Sequence, residues 1–276
     1  MGFLEKVNLF FWAWIQSARS AKNLRLFVPF LLYAVLQVAI LVGLVFFAYP
    51  ILSAILVPLF RRFLGPAALH YPQCMIFLPN MFHRADLFLS GIIGVGVIGV
   101  TTQMFASKFN GEKPRLSEGI GRVLPLYGIL FLIWVLETAL VFGFVVGLPR
   151  FLARFTPLEG GFLMVLSFLL GTLVGAAFAY TSVLVVWEGM GLGKALKGSF
   201  SLFGKNTFSS FFLVAIPTGL HLPFDYVLGK GNFLVSRFTP EIIVWLLGLY
   251  IVFSIFTNYF LIGPITGFYL LVKEES

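Results

Sequence analysis

Apolar residues dominate this chain in continuous runs of about 20 residues or more, parted by short basic segments, and they do not alternate with polar ones. Continuous apolar runs of that length satisfy their backbone groups in hydrocarbon as helices, whereas barrel strands alternate. The pattern predicts an all-α, polytopic membrane protein with about six transmembrane helices in one domain. The spans fall near 26–48, 87–107, 126–148, 162–187, 207–228 and 242–272. The prolines around 65–83 predict an ordered loop at the membrane surface before the second span, and Gly263-Pro264 predicts a break in the sixth.

Three of the segments between runs are amphipathic. Over 3–16, Phe3, Leu4, Val7, Phe10, Phe11, Trp14 and Ile15 share one helical face, which predicts an interfacial helix over about 3–22. Leu116, Ile120, Val123, Leu124 and Tyr127 share a face in the second, with Ser117 near its start. The third runs Gly191-Leu-Gly-Lys-Ala-Leu-Lys-Gly-Ser-Phe-Ser-Leu-Phe-Gly-Lys-Asn206. Superimposing Lys22-Asn23 on Lys205-Asn206, and Leu116 on Leu192, aligns each basic segment with the apolar run after it. Three helical-hairpin repeats are therefore expected.

Composition agrees: 59% of the residues are hydrophobic and only 11% charged, against about a quarter charged in a soluble domain. Lysine and arginine divide 12 to 7 between the two sides of a six-span topology. The richer side carries both ends of the chain, so a bacterial inner membrane with cytoplasmic termini is expected. The poorer side includes a loop with Arg150, Arg154 and Glu159. The single cysteine, Cys74, excludes an internal disulfide, and the interrupted first apolar stretch does not read as a cleaved signal peptide.

The stretch Ser17-Ala-Arg-Ser-Ala-Lys-Asn-Leu-Arg-Leu-Phe-Val-Pro-Phe30, together with Gly191–Asn206, resembles the repeated element of a loose superfamily of bacterial six-span membrane proteins. That superfamily includes the membrane domain fused to glycerophosphodiester phosphodiesterases. The resemblance implies a layout and no catalytic residue, and since no phosphodiesterase domain is present it implies no such activity. A weaker likeness is to bacterial sulfate-uptake channels, which also begin with a basic interfacial segment and a span rich in Phe, Pro and Leu.

Glu137 stands out because a carboxylate with about ten apolar residues on either side costs a few kcal/mol unless protonated, paired or wet. It reads either as a coupling or gating acid, or as one end of a structural hydrogen bond, with Thr138, Gln103, Tyr180 and Asn258 as polar partners within reach. Gly171, Gly175 and Ala179, spaced by four, form a small-residue seam for helix packing. His70, His83 and His221, with Asp86 and Asp225 nearby, fall on the outer side without a recognised ligand spacing, so no metal and no other cofactor is expected. Gly189 to Gly193 reads as a turn into an interfacial helix, because no strand precedes it.

No nucleophile–base set, paired intramembrane carboxylates or zinc-protease motif is present, and no enzyme is expected. Beside membrane spans, basic segments meet anionic headgroups and not nucleic acid. Lys22, Arg25, Arg115, Arg122, Lys194, Lys197 and Lys205 are the headgroup-binding candidates. Membrane lipids, anionic by preference, are the expected partners, with a homo-oligomer or a membrane complex left open. The leading expectation is a non-enzymatic protein of membrane organisation, lipid handling or support of a partner complex. The alternative is a transporter or channel for a small solute or ion such as sulfate.

Overall fold

The computed structural model describes residues 2–148, 151 and 160–275. The loop carrying Arg150, Arg154 and Glu159 lies outside them. The described residues form helices and no strand, and six of the helices are long and apolar enough to cross a membrane. The fold is an all-α polytopic membrane protein. In chain order the helices are α1 (Phe3–Ser20), α2 (Val28–Val45), α3 (Pro50–Leu64), α4 (Gln73–Leu89), α5 (Val95–Phe109), α6 (Leu116–Val123) and α7 (Tyr127–Val141). Then come α8 (Gly160–Phe178), α9 (Thr181–Val186), α10 (Leu192–Lys205), α11 (Thr207–Gly219), α12 (Leu222–Leu228), α13 (Gly231–Arg237) and α14 (Ile242–Glu274).

The element order repeats three times. An interfacial helix (α1, α6 or α10) leads through a tight junction into a span (α2, α7 or α11), and a return span follows. The junctions are 3-10 turns at Leu24–Phe27 and Leu124–Leu126, and Asn206 at the third, where Nδ2 donates back to the Leu202 carbonyl at 3.3 Å.

Two expectations about breaks are corrected. Residues 73–83 are helical, not loop: α4 and α5 join through one wide π turn, Ser90–Gly94, into a 37-residue helix from Gln73 to Phe109. Pro79 sits inside α4, where its missing N–H forfeits one hydrogen bond and not the helix. Likewise α14 runs 33 residues through Pro264 without stopping. A side chain at Gly263 would lie 3.0 Å from the Phe105 ring and 3.1 Å from Ser17 Oγ, so the glycine serves close packing and not a hinge.

By contacts the chain forms two compact units. The first comprises Met1–Pro29, Gly91–Gly219 and Thr257–Ser276. Here α1 buries the small face Ala13, Ser17 and Ser20 and leaves Leu4, Phe11 and Ile15 exposed. Its apolar stripe is divided: Phe10 is buried and Val7 and Trp14 are half-buried, while Leu4, Phe11 and Ile15 stay exposed. Tyr259 Oη donates to the Ser17 carbonyl at 3.0 Å and its ring stacks on Phe27 at 4.3 Å. In α6, Gly119 and Val123 are buried whereas Ile120, and Leu124 in the turn after it, are exposed, so the stripe is only partly packed. The π turn strands backbone carbonyls, and Tyr127 Oη donates to those of Gly91 and Ile92 at 3.2 and 2.6 Å.

The second unit comprises Phe30–Ser90 and Leu220–Phe256. Its apolar core joins Leu41, Leu44, Phe60, Met81, Phe82, Ile243 and Leu247. Tyr71 Oη, in the loop before α4, donates to Glu241 Oε1 at 3.0 Å, tying that loop to the start of α14.

Candidate functional site

Glu137 lies on α7, half-buried, with Oε1 4.0 Å from where a side chain at Gly175 would begin. Among the described residues no hydrogen bond joins it to Thr138, Gln103, Tyr180 or Asn258. Gln103 Nε2 instead reaches Ser107 Oγ at 3.5 Å, and Tyr180 pairs with Ser210 Oγ at 2.7 Å. The structure therefore does not assemble Glu137, Gln103 and Asn258 into one polar site. Gly171 and Gly175 admit two different neighbours, Val145 and Val214, each 3.3 Å from the position of a side chain's first carbon. The seam predicted through Ala179 stops short of it: the helix ends at Phe178, and Ala179 is half-buried in the turn that follows. The turn at Gly189 has φ +68°, which a glycine adopts freely, before α10 begins.

The seven basic candidates divide by what they touch. Arg122 is committed to the protein: Nε donates to the Val186 carbonyl at 2.8 Å, Nη2 to that of Trp187 at 2.7 Å, and the guanidinium lies over the Trp187 ring. It caps the C-terminus of α9, where helix carbonyls lack partners. Arg115 pairs with Glu118 at 3.0 Å, both exposed. Lys22, Arg25, Lys194, Lys197 and Lys205 are exposed, with no ion pair among the described residues. Lys6, which the amphipathic pattern alone did not single out, caps α10 by donating to the Lys205 carbonyl. At 100° per residue, Lys194, Lys197 and Lys205 fall within an arc of about 80° on α10, opposite its buried Ala195 and Ser199. No acid lies on that helix, and Phe200 is 45% exposed on its flank.

The second unit holds a polar cluster that spacing along the sequence did not assemble. Asp86 Oδ1 accepts from Tyr33 Oη at 3.0 Å and from Gln37 Nε2 at 2.8 Å, both on α2. Ser254 Oγ of α14 approaches Gln37 Oε1 at 3.5 Å. The Tyr250 ring is packed edge-on by His83 at 5.3 Å and tilted against His221 at 5.0 Å, with Phe224 and Phe82 beyond. Tyr33 is 9% and Gln37 2% exposed, His83, Asp86, His221 and Tyr250 are half-buried, and Asp225 is exposed. No group of three His, Cys, Asp or Glu side chains able to hold a metal is found among the described residues. The one available signal was the spacing of His83 and Asp86, three residues apart on what proves to be a helix; their partners come from α2, α14 and the α11–α12 turn. Those long-range pairings follow from helix packing and leave no local mark.

No protein-family model, curated protein or solved structure matches the chain.

Proposed function

We propose that this is a non-enzymatic, multi-pass protein of a bacterial inner membrane that holds anionic lipid headgroups on its interfacial helices. Membrane organisation, lipid handling or support of a partner complex would be its role. The observation that carries this is the row of Lys194, Lys197 and Lys205 on the exposed face of α10, without an acid on the helix and beside exposed Phe200. Lysines near a membrane surface each contribute about 1 kcal/mol toward anionic lipid, and an exposed aromatic flank anchors such a helix at headgroup depth. The 12 to 7 division of basic residues supports placing this face on the cytoplasmic side.

The test is native mass spectrometry of the protein released from nanodiscs containing phosphatidylglycerol and phosphatidylcholine. Phosphatidylglycerol should be retained preferentially. Neutralising Lys194, Lys197 and Lys205 to Gln should erase the preference while leaving the helical signal intact, and high salt should weaken it. Equal retention by wild type and variant would sink the reading.

A second reading, transport of a small solute or ion, is favoured by one observation. Glu137 is an acid in the middle of a span with no hydrogen-bond partner among the described residues. Its test is flux of sulfate and simple ions into proteoliposomes, with Glu137→Gln as the comparison; flux in neither removes it.

A further inference from the structure

Inside the second unit the amide of Gln37 joins a carboxylate to a hydroxyl. Its Nε2 donates to Asp86 Oδ1 at 2.8 Å, and Tyr33 Oη donates to the same oxygen at 3.0 Å. A carboxylate oxygen only accepts, so the amide turns its nitrogen to Asp86 and its oxygen Oε1 toward Ser254 Oγ of α14. These groups lie well inside spans. Gln37 is eight residues, or about 12 Å, from the end of α2 at Val45. Ser254 is twelve residues, or about 18 Å, from the start of α14 at Ile242.

Gln37 Oε1 and Ser254 Oγ are 3.5 Å apart, against about 2.5–3.0 Å for an O–H···O bond. A serine has one hydrogen, and the Ile251 carbonyl takes it at 2.7 Å. Ser254 therefore turns lone pairs to the amide oxygen. Two acceptors face each other where Gln37 is 2% and Ser254 6% exposed. Such oxygens repel unless a positive charge lies between them.

Asp86 supplies the matching negative charge. Its two donors are neutral and hold the carboxylate in place without cancelling that charge. Oδ2 makes no hydrogen bond among the described residues. Arg84 is exposed and points about 200° around α4 from Asp86, and no ion pair joins Asp86 to any described residue. A charge inside a span is costly and requires a partner.

Distance and charge select that partner. A hard cation with oxygen ligands at about 2.3–2.6 Å holds adjacent ones about 3.3–3.7 Å apart in octahedral geometry, which brackets the observed 3.5 Å. Magnesium, with ligands at about 2.0–2.1 Å, needs a tighter edge. Calcium has the right size but brings two charges where these oxygens offer one. Sodium is the monovalent ion of that size.

We propose that Asp86, Gln37 Oε1 and Ser254 Oγ bind a sodium ion inside the membrane, with Tyr33 positioning the carboxylate. A carboxylate, an amide oxygen and a hydroxyl are the donor types a hard cation takes. The site uses none of the interfacial lysines and not Glu137, so it stands or falls apart from both functional readings.

The test is equilibrium binding of radioactive sodium to the whole protein in nanodiscs of phosphatidylcholine, whose headgroup carries no net charge to collect sodium. Saturable binding is expected, undisplaced by an equal concentration of potassium, lost in Asp86→Asn and kept in Glu137→Gln. Tyr33→Phe and Ser254→Ala should each weaken it about 10- to 100-fold, and they decide the matter if Asp86→Asn does not fold. Sodium should also raise the unfolding midpoint of the wild type, as any ligand of the folded state does. Binding kept in Asp86→Asn, binding undiminished in both Tyr33→Phe and Ser254→Ala, or no saturable binding by the wild type overturns the proposal.

Discussion

The guanidinium of Arg122 on α6 reaches the Val186 carbonyl at the end of α9, 64 residues on, with Nε 2.8 Å from the oxygen. One side chain thus closes the C-terminus of a return span and pins an interfacial helix to it. Its second bond, to the Trp187 carbonyl, and the cation–π contact with the Trp187 ring add to the same junction.

Arg122→Ala should therefore destabilise the protein by about 1.5–3 kcal/mol, the range for hydrogen bonds to a charged group. Arg122→Lys, a point charge that cannot span two carbonyls, should recover only part of it. Neutralising Lys194 should change stability by less than about 0.5 kcal/mol, because it is exposed and makes no hydrogen bond or ion pair among the described residues. Unfolding followed by tryptophan fluorescence in a fixed lipid composition separates the three variants. Equal midpoints for Arg122→Ala and Lys194→Gln would show that Arg122 is not the structural cation described.

The contrast between Arg122 and Lys194 also marks the limit of reading by sequence. Both are basic residues on amphipathic helices beside a span, and only the placement of α9 separates a cap from a surface charge. The six spans and the three interfacial helices were legible because length and the helical period of apolar residues are local properties. The extra helix over 73–83 was not: Pro79 and the polar residues around it signal a loop, and helix packing overrides them. On α1 the spacing marks an amphipathic helix but not which of its residues pack: Leu4, Phe11 and Ile15 stay exposed, while Leu9 and Phe10 are buried with Ala13, Ser17 and Ser20.

The π turn at Ser90–Gly94 offers a second measurement. A side chain at Gly91 would begin 2.6 Å from Trp134 Cη2 and 2.7 Å from Cζ3, closer than any real contact. Gly91→Ala must push the indole aside and should cost about 1–3 kcal/mol. Trp134→Leu shortens the opposing side chain, so the double variant should lose less than the sum of the singles, with a coupling of at least about 0.5 kcal/mol. Additive losses in a chemical-unfolding cycle would mean that the two residues do not meet.

The buried hydroxyl pair of Tyr180 and Ser210 gives an asymmetric test. Their oxygens are 2.7 Å apart, and Ser210 Oγ also lies 2.9 Å from the Asn206 carbonyl. A serine has one hydrogen; spending it on that carbonyl makes Tyr180 the donor in the pair. Ser210→Ala then strands a buried tyrosine hydroxyl, which costs about 1–2 kcal/mol. Tyr180→Phe leaves Ser210 bonded to its own helix and should cost about 0.5 kcal/mol, the scale of a single interhelical bond in a membrane. The Tyr180→Phe, Ser210→Ala double variant should be more stable than Ser210→Ala alone, since it removes the stranded group. Unfolding midpoints in the reverse order would mean that Ser210 is the donor and that the carbonyl of Asn206 is satisfied without it.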